Sequence, residues 1–308
     1  MNKKIAVIGA GNVGATTAMY LAEANFADVV MVDIVEGMPQ GKGLDLSQAG
    51  PVRGYNSMVY GSNNYGDIKG ADIVIMTAGL PRKPGMSRED LLNMNADIIK
   101  TAANNIKKYA PKSFVIVVSN PLDLMTFHMQ KVTGFPKNRV FGQAGVLDST
   151  RFRTFVAMEI GVAMADVQSM VLGGHGDTMV PLPRYTTVAG IPVSEFIPAK
   201  RIKEISERTR NGGGEIVKLL KTGSAFYAPA AATVSMCKSV FNDEKRLLPV
   251  SAYLTGEYGI KDIYIGVPAI IGADGVEKII ELKLNKSEKT ALQESANTYK
   301  EHLKILGY

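Results

Sequence analysis

The chain has no tryptophan, one cysteine and only three histidines among its 308 residues. One cysteine can form neither an intrachain disulfide nor a cysteine-rich metal site. Cys237 lies in Ala231-Ala232-Thr233-Val234-Ser235-Met236-Cys237, which reads as a helix face, so a small buried thiol in a reducing compartment is expected rather than a nucleophile. No run approaches the ~20 apolar residues of a membrane span. The short apolar run 5–10 turns glycine-rich instead of leading to a cleavage pattern. A cytoplasmic protein without a membrane partner is expected. The net charge of +6 comes from scattered Lys and Arg rather than from blocks, and no zinc-finger spacing or aromatic RNA-binding motif occurs. That argues against nucleic acid, while leaving a mild positive field able to draw in an anionic substrate. Repeats and low-complexity tracts are absent too.

What is present is an ordinary core-forming composition, 46% apolar and 21% charged, in a chain long enough for two domains sharing an interface. The first half alternates strands with helices. Strands are expected at 5–9, 29–33, near 57–60, at 71–77, 114–118 and 139–142, and helices at 13–25, 39–47 and 90–109. These strands are continuous apolar runs, the pattern of a parallel sheet covered on both faces. After residue 146 the rhythm changes. A helix at 149–160 and strand-like pieces at 167–172 and 179–187 precede a helix at 200–209. Gly212-Gly213-Gly214 is expected to interrupt that helix before it resumes to 221. Strands at 250–254 and 264–266 and an amphipathic helix at 286–304 complete the chain. The expected fold class is α/β. Residues 1–146 form a Rossmann-type doubly wound parallel sheet, and residues 147–308 form an α+β substrate domain.

Gly9-Ala10-Gly11-Asn12-Val13-Gly14 falls between the first strand and the first helix. Gly9 permits a tight turn, Gly11 lets the backbone approach a pyrophosphate, and Gly14 allows close helix–strand packing. The helix start offers free N–H groups and the positive end of its dipole to phosphates. Such a motif alone could be a chance glycine-rich turn. A second signal lies 19 residues past Gly14, where Asp33 ends the second strand and can accept hydrogen bonds from ribose hydroxyls. An anion there repels a 2′-phosphate, which favours NAD over NADP.

Of the histidines, His128 and His302 fall in helices and read as surface or packing residues. His175 sits in Gly173-Gly174-His175-Gly176-Asp177 at a strand end, where flanking glycines leave its imidazole accessible. Oxidising an alcohol by hydride transfer needs a base for the hydroxyl proton, and an imidazole titrates in the right range. Asp148, in Leu147-Asp148-Ser149-Thr150-Arg151-Phe152, is the candidate to orient that base. Arg151 is three residues on, on the same helix face, with a fork suited to a carboxylate. The segment from Gly79 to Arg88 carries Arg82, Lys83 and Arg88 after a strand's carboxyl end, where open α/β sheets bind ligands. A merely solvated basic turn would have the same composition.

Taken together, Gly9 to Gly14, Thr77-Ala78-Gly79 with the arginine-rich loop, Val118-Ser119-Asn120-Pro121, Leu147 to Arg151 and Gly174-His175-Gly176-Asp177 resemble the malate and lactate dehydrogenase superfamily along essentially the whole chain. The resemblance is closest to its lactate-dehydrogenase-like malate dehydrogenases. It implies NAD as cofactor, a malate/oxaloacetate dicarboxylate as substrate and a place in the tricarboxylic acid cycle. His175 would be the proton acceptor, Asp148 its partner, and Arg151 the holder of the C1 carboxylate. Arg88 would polarise the C2 oxygen, and Asn120 would contact substrate and nicotinamide. Asn95 and the Val118, Ser119 and Asn120 backbone would line the cofactor site beside Gly9, Ala10, Gly11, Asn12, Val13, Gly14 and Asp33. The 80–90 loop would be a closing lid. Arg82 stands where lactate enzymes of the superfamily typically carry glutamine, and a second buried carboxylate needs a cation. The alternative is an NAD-dependent lactate dehydrogenase. Ser224 would touch substrate, or belongs to a tightly packed helix contact. The resemblance further implies a homodimer or homotetramer, with Val156 to Met164 serving either an interface or the core.

Overall fold

A computed structural model describes residues 3–80 and 87–308; of Arg88 it describes the backbone alone. The first half alternates as expected: β1 (Lys4–Ile8), α1 (Asn12–Ala24), β2 (Asp28–Val32), α2 (Met38–Arg53), β3 (Val59–Ser62), β4 (Ile73–Met76), α3 (Arg88–Tyr109), β5 (Phe114–Val117), α4 (Leu122–Thr133) and β6 (Val140–Gly142). Their strands are parallel in the order β3-β2-β1-β4-β5-β6. Ile8 stands opposite both Val32 and Met76, and Met76 opposite Val117. The carboxyl ends of β1, β2, β4 and β5 therefore align, and the segments leaving them share one edge. Strand order reverses between β1 and β4, and the crevice at that point is where such sheets bind ligands.

The second half contributes α5 (Gly145–Ile160), β7 (Val167–Gln168), β8 (Val171–Leu172), β9 (Val180–Pro181), β10 (Thr187–Val188), β11 (Ile191–Pro192), α6 (Ala199–Leu220) and α7 (Tyr227–Phe241). After these come β12 (Arg246–Thr255), β13 (Lys261–Gly272), β14 (Gly275–Ile279) and α8 (Lys286–Ile305). Strands β12, β13 and β14 are antiparallel and extend the parallel sheet past β6 to nine strands. The join is close because Gly142 faces Ser251, and a Cβ on Gly142 would lie 2.6 Å from Leu122 and 2.9 Å from Ser251. One apolar core runs from Ile5 and Val30 through Val117 to Val250, Ile265 and Leu303, and a smaller one gathers Phe152, Val156 and Ile205. No helix among the described residues is long and apolar enough to cross a membrane.

Several expectations need correcting. Helix α6 is continuous through Gly212, Gly213 and Gly214. Arg208 and Glu215 pair at 2.7 Å across that stretch, and Gly212 packs against Arg151 and Phe155, so the glycines are held helical from both sides. Helix α2 runs on through Pro51 to Arg53, and α5 begins at Gly145 rather than 149. Strands β12 and β13 are ten and twelve residues long, well beyond 250–254 and 264–266, because each also pairs outside its most apolar stretch. Cys237 is buried in α7, and burial pushes its thiol pKa up, as suits an inert packing residue.

Candidate active site

The glycine turn leaves β1 at the aligned strand edge. Gly9 has φ +99°, and a Cβ there would stand 2.7 Å from the Ala78 backbone; a Cβ on Gly14 would stand 1.9 Å from the Gly9 carbonyl. Both positions therefore exclude side chains. Gly11 faces open space, with nothing within 4 Å of its notional Cβ, which is the room a pyrophosphate needs. Thr77 pins the turn by donating its hydroxyl to the carbonyls of Ile8 and Gly9, each at 3.0 Å. Asp33 closes the turn from the neighbouring strand, Oδ2 accepting from the Ala10 N–H at 2.7 Å and Oδ1 from Val35 at 3.0 Å. Next to it Ile34 is 89% exposed, an apolar face beside a carboxylate. The turn, the carboxylate and that face fit an NAD adenosine and its phosphates. Lys42, which the sequence did not single out, donates to the Ala10 carbonyl at 2.6 Å and adds a cation there.

Further along the edge, Ser119 is buried and donates to the Ala78 carbonyl at 2.6 Å, while Val118 is half-buried and Asn120 exposed. Asn95 is buried. Its side chain accepts from Leu80 N–H at 2.8 Å and donates to the Asn120 carbonyl at 2.9 Å. It braces the mouth of the crevice, holding the exit of β4 against the start of α4. Asn12 is exposed and Val13 half-buried in the first turn of α1, with Ala10 buried beneath them. Arg82 lies outside the described residues, and Arg88 is placed only as the first residue of α3.

The catalytic candidates come from the second half. Helix α5 starts directly after β6, so Asp148 falls in its first turn and Arg151 one turn later. Ser149 fixes α5 to β8, its Oγ accepting from the Val171 N–H at 3.0 Å and its carbonyl from Ser169 Oγ at 2.9 Å. Past β8, Gly173 exchanges backbone hydrogen bonds with Gly266 of β13 at 2.9 and 3.1 Å. A Cβ on Gly174 would sit 1.9 Å from the Tyr299 ring. The loop so held carries His175 to Asp148, with Nδ1 2.9 Å from Oδ2. The other oxygen, Oδ1, accepts from Arg151 at 3.1 Å. Asp148 is buried, whereas the His175 and Arg151 side chains stay 13% and 14% exposed, at the crevice.

Burial alone would push the His175 imidazole down. The charge and hydrogen bond of Asp148, helped by Asp123 and opposed by Arg151, more than reverse this, and the net shift is upward from 6.5. An ionised Asp148 can only accept, so Nδ1 carries the hydrogen and Nε2 presents its lone pair. A proton acceptor with an orienting carboxylate and an adjoining guanidinium is the equipment for oxidising the alcohol of an anionic hydroxy acid. His128 and His302 stand apart. The former meets the Tyr308 hydroxyl at 2.7 Å and the latter stacks edge-on near Tyr299. Asp123, whose backbone begins α4, also reaches this cluster; its sequence context, Asn120-Pro121-Leu122-Asp123, carries no signal of that beyond an acid in a helix's first turn.

Comparison with known proteins agrees with this geometry. Residues 3–142 match the lactate/malate dehydrogenase NAD binding domain, and residues 145–306 match the lactate/malate dehydrogenase alpha/beta C-terminal domain. A malate dehydrogenase of Roseiflexus sp. (strain RS-1) is 57% identical over 296 residues, 96% of each chain. The crystal structure of Cryptosporidium parvum malate dehydrogenase superposes with a TM-score of 0.97 at 45% identity, covering 100% of this chain and 99% of that one. The lactate dehydrogenase of the same organism, complexed with lactic acid and nicotinamide adenine dinucleotide, gives 0.96 at 47% identity, covering 100% and 98%. With an NAD-binding first half and a histidine–aspartate–arginine cluster facing it, the chain belongs to the lactate/malate dehydrogenase family.

Proposed function

We propose that this protein is a malate dehydrogenase, interconverting (S)-malate and oxaloacetate with NAD. The observation that carries the reading is the ordered cluster at the crevice, His175 Nδ1 at 2.9 Å from an Asp148 that also holds Arg151. Residues 1–146 would hold NAD through the Gly9–Gly14 turn, Asp33 and the Val118 to Asn120 segment, and residues 147–308 would supply the acid–base chemistry. When bound, NAD accepts the hydride leaving C2 of the hydroxy acid.

His175 takes the hydroxyl proton at Nε2 as the C2–O bond becomes a carbonyl, and returns it in the reverse direction. Asp148 fixes the ring and stabilises the imidazolium. One donor of the Arg151 fork is committed to Asp148, and its remaining N–H groups suit the C1 carboxylate. Arg88 stabilises negative charge developing on the C2 oxygen. Arg82 meets the second carboxylate of the four-carbon acid, and this supports malate over lactate along with the 57%-identical malate dehydrogenase. The backbone fold is equally close to malate and lactate enzymes and does not divide them.

The dividing experiment is NADH oxidation with oxaloacetate against pyruvate. Oxaloacetate kcat/KM is expected to exceed that of pyruvate on the order of 10³-fold, since pyruvate has no second carboxylate to pair with Arg82. Arg82→Gln should narrow or invert that ratio, and an unchanged ratio removes Arg82 from substrate selection. Turnover with neither acid overturns the proposal. Assembly as a homodimer or homotetramer belongs to the same proposal. Val156 is buried, but Met158 and Met164 are exposed and Leu219 is 74% exposed; light scattering of the purified protein tests it.

A further inference from the structure

His175 is held at three points by three elements. Its ring is held by Asp148 of α5, and its carbonyl accepts from the Tyr299 hydroxyl of α8 at 3.3 Å. Its backbone N–H donates to Asp123 Oδ2 of α4 at 2.9 Å. The third tie is the unusual one. Asp123 is 1% exposed, and among the described residues its other oxygen accepts only from the Ser251 hydroxyl of β12, at 2.6 Å. Two neutral donors are a thin shell for a buried carboxylate. Burial accordingly pushes the group up to about 6, and it is ionised at neutral pH at a cost to the fold. A chain that bears this cost holds the His175 backbone with a charge-assisted bond where a neutral one would satisfy the N–H. Asp123 is the second residue of α4, three positions after Asn120.

Resting on the reading of His175 as the base, we infer that Asp123 is a positioning residue of the proton-transfer site. It fixes the catalytic loop to α4 and β12 and adds a negative charge behind the imidazole. Among the described residues, the charged and titratable groups facing His175 are Asp148 and Arg151 from α5, Asp123 from α4 and the Tyr299 hydroxyl from α8.

Asp123→Asn and Ser251→Ala test this. With only three histidines, the imidazole protons of the protein without cofactor can be followed one by one by NMR. Asp123→Asn keeps the shape but removes the charge and one acceptor. Its kcat for oxaloacetate reduction should fall roughly 10²-fold, the cost of a slightly misplaced group, with NADH affinity unchanged within about twofold because its contacts lie elsewhere. The His175 titration should move to lower pH. Ser251→Ala keeps the carboxyl and its bond to the His175 N–H but removes a donor that holds the Asp123 pKa down, so it should lower kcat less than Asp123→Asn and move the His175 titration the same way by less. A folded Asp123→Asn protein with the parent's kcat and His175 titration overturns the inference, even if it melts earlier. Should that variant not fold, an unchanged kcat in Ser251→Ala overturns it. A parent protein that turns over no hydroxy acid would defeat the functional reading instead. The NMR comparison would still report whether Asp123 sets His175.

Discussion

His175 and Asp148 are arranged so that one proton position is fixed between them. Asp148 is buried and bound on both oxygens, so it cannot rotate away from His175 Nδ1. Asp148→Asn offers either a donor or a weaker acceptor at that nitrogen and so favours the wrong tautomer; malate oxidation should slow about 10²- to 10⁴-fold in kcat with the fold intact. Because the His175 pKa is raised, the neutral base is lost as pH falls through a value above 6.5. The acid limb of kcat/KM for malate oxidation should therefore lie above 6.5, while oxaloacetate reduction, which needs the imidazolium, should fall as pH rises through the same value. Asp123 gives a stability signature of opposite sense to an ordinary ion-paired carboxylate. Its ordinary value is 3.8 and its folded value about 6, so between these pH values the folded state holds a proton that the unfolded chain has released. Stability then falls as pH rises through that window, by about 3 kcal/mol. Urea melts of the parent and Asp123→Asn should converge or cross by about that amount between pH 4 and 7, and parallel curves would contradict it. His175, Asp148 and Arg151 were legible in the sequence because glycine flanks and an i, i+3 spacing are local marks of accessible chemistry. Asp123 was not, because its burial comes from β12 and the catalytic loop, both more than fifty positions away.

Among the elements, α6 shows how tertiary contact overrides a local break signal. Three successive glycines cost roughly 1 kcal/mol each relative to alanine in a helix interior, and from the sequence they read as an interruption. The helix persists because Gly212 lets it lie against the Arg151 side chain, where a Cβ would come within 3.3 Å of Cδ. Gly214 has no such neighbour, with nothing within 4 Å of its notional Cβ. Gly214→Ala should therefore stabilise the protein by about 0.5–1 kcal/mol and leave kinetics alone. Gly212→Ala crowds the arginine assigned to the substrate carboxylate and should raise KM for oxaloacetate. Denaturant melts with steady-state kinetics distinguish the two, and equal effects on KM would mean that α6 does not shape the Arg151 pocket. The parallel strands, by contrast, were read to within two residues at each end. Apart from β3, which is half-buried Val-Tyr-Gly-Ser, each is an apolar run largely buried on both faces, so hydrophobicity marks its limits, whereas β14 is short, half-buried and follows from pairing with β13.

At the scale of the whole molecule, cofactor side and acid–base side are built on one sheet. Strand β6 ends the parallel series, and β12 continues it through the Gly142–Ser251 contact, above which Ser251 also donates to Asp123. The core is likewise shared, with Val117 of the first half and Val250 and Ile265 of the second in the same cluster. A ligand held by the glycine turn should then stabilise both halves together. NADH at 100 times its Kd adds about 2.7 kcal/mol to any unit that unfolds cooperatively with its site. For a chain of 308 residues the melting entropy scales to about 0.65 kcal/mol/K, so the midpoint should rise about 4 °C. Far-ultraviolet circular dichroism reports both halves, and the imidazole proton signals of His175 and His302 report the second. Both signals should shift together in one transition on adding NADH. If the His175 and His302 signals melted at the unliganded midpoint while part of the dichroism moved, the halves would be unfolding independently, and the shared sheet would not be what couples the cofactor crevice to the His175 loop.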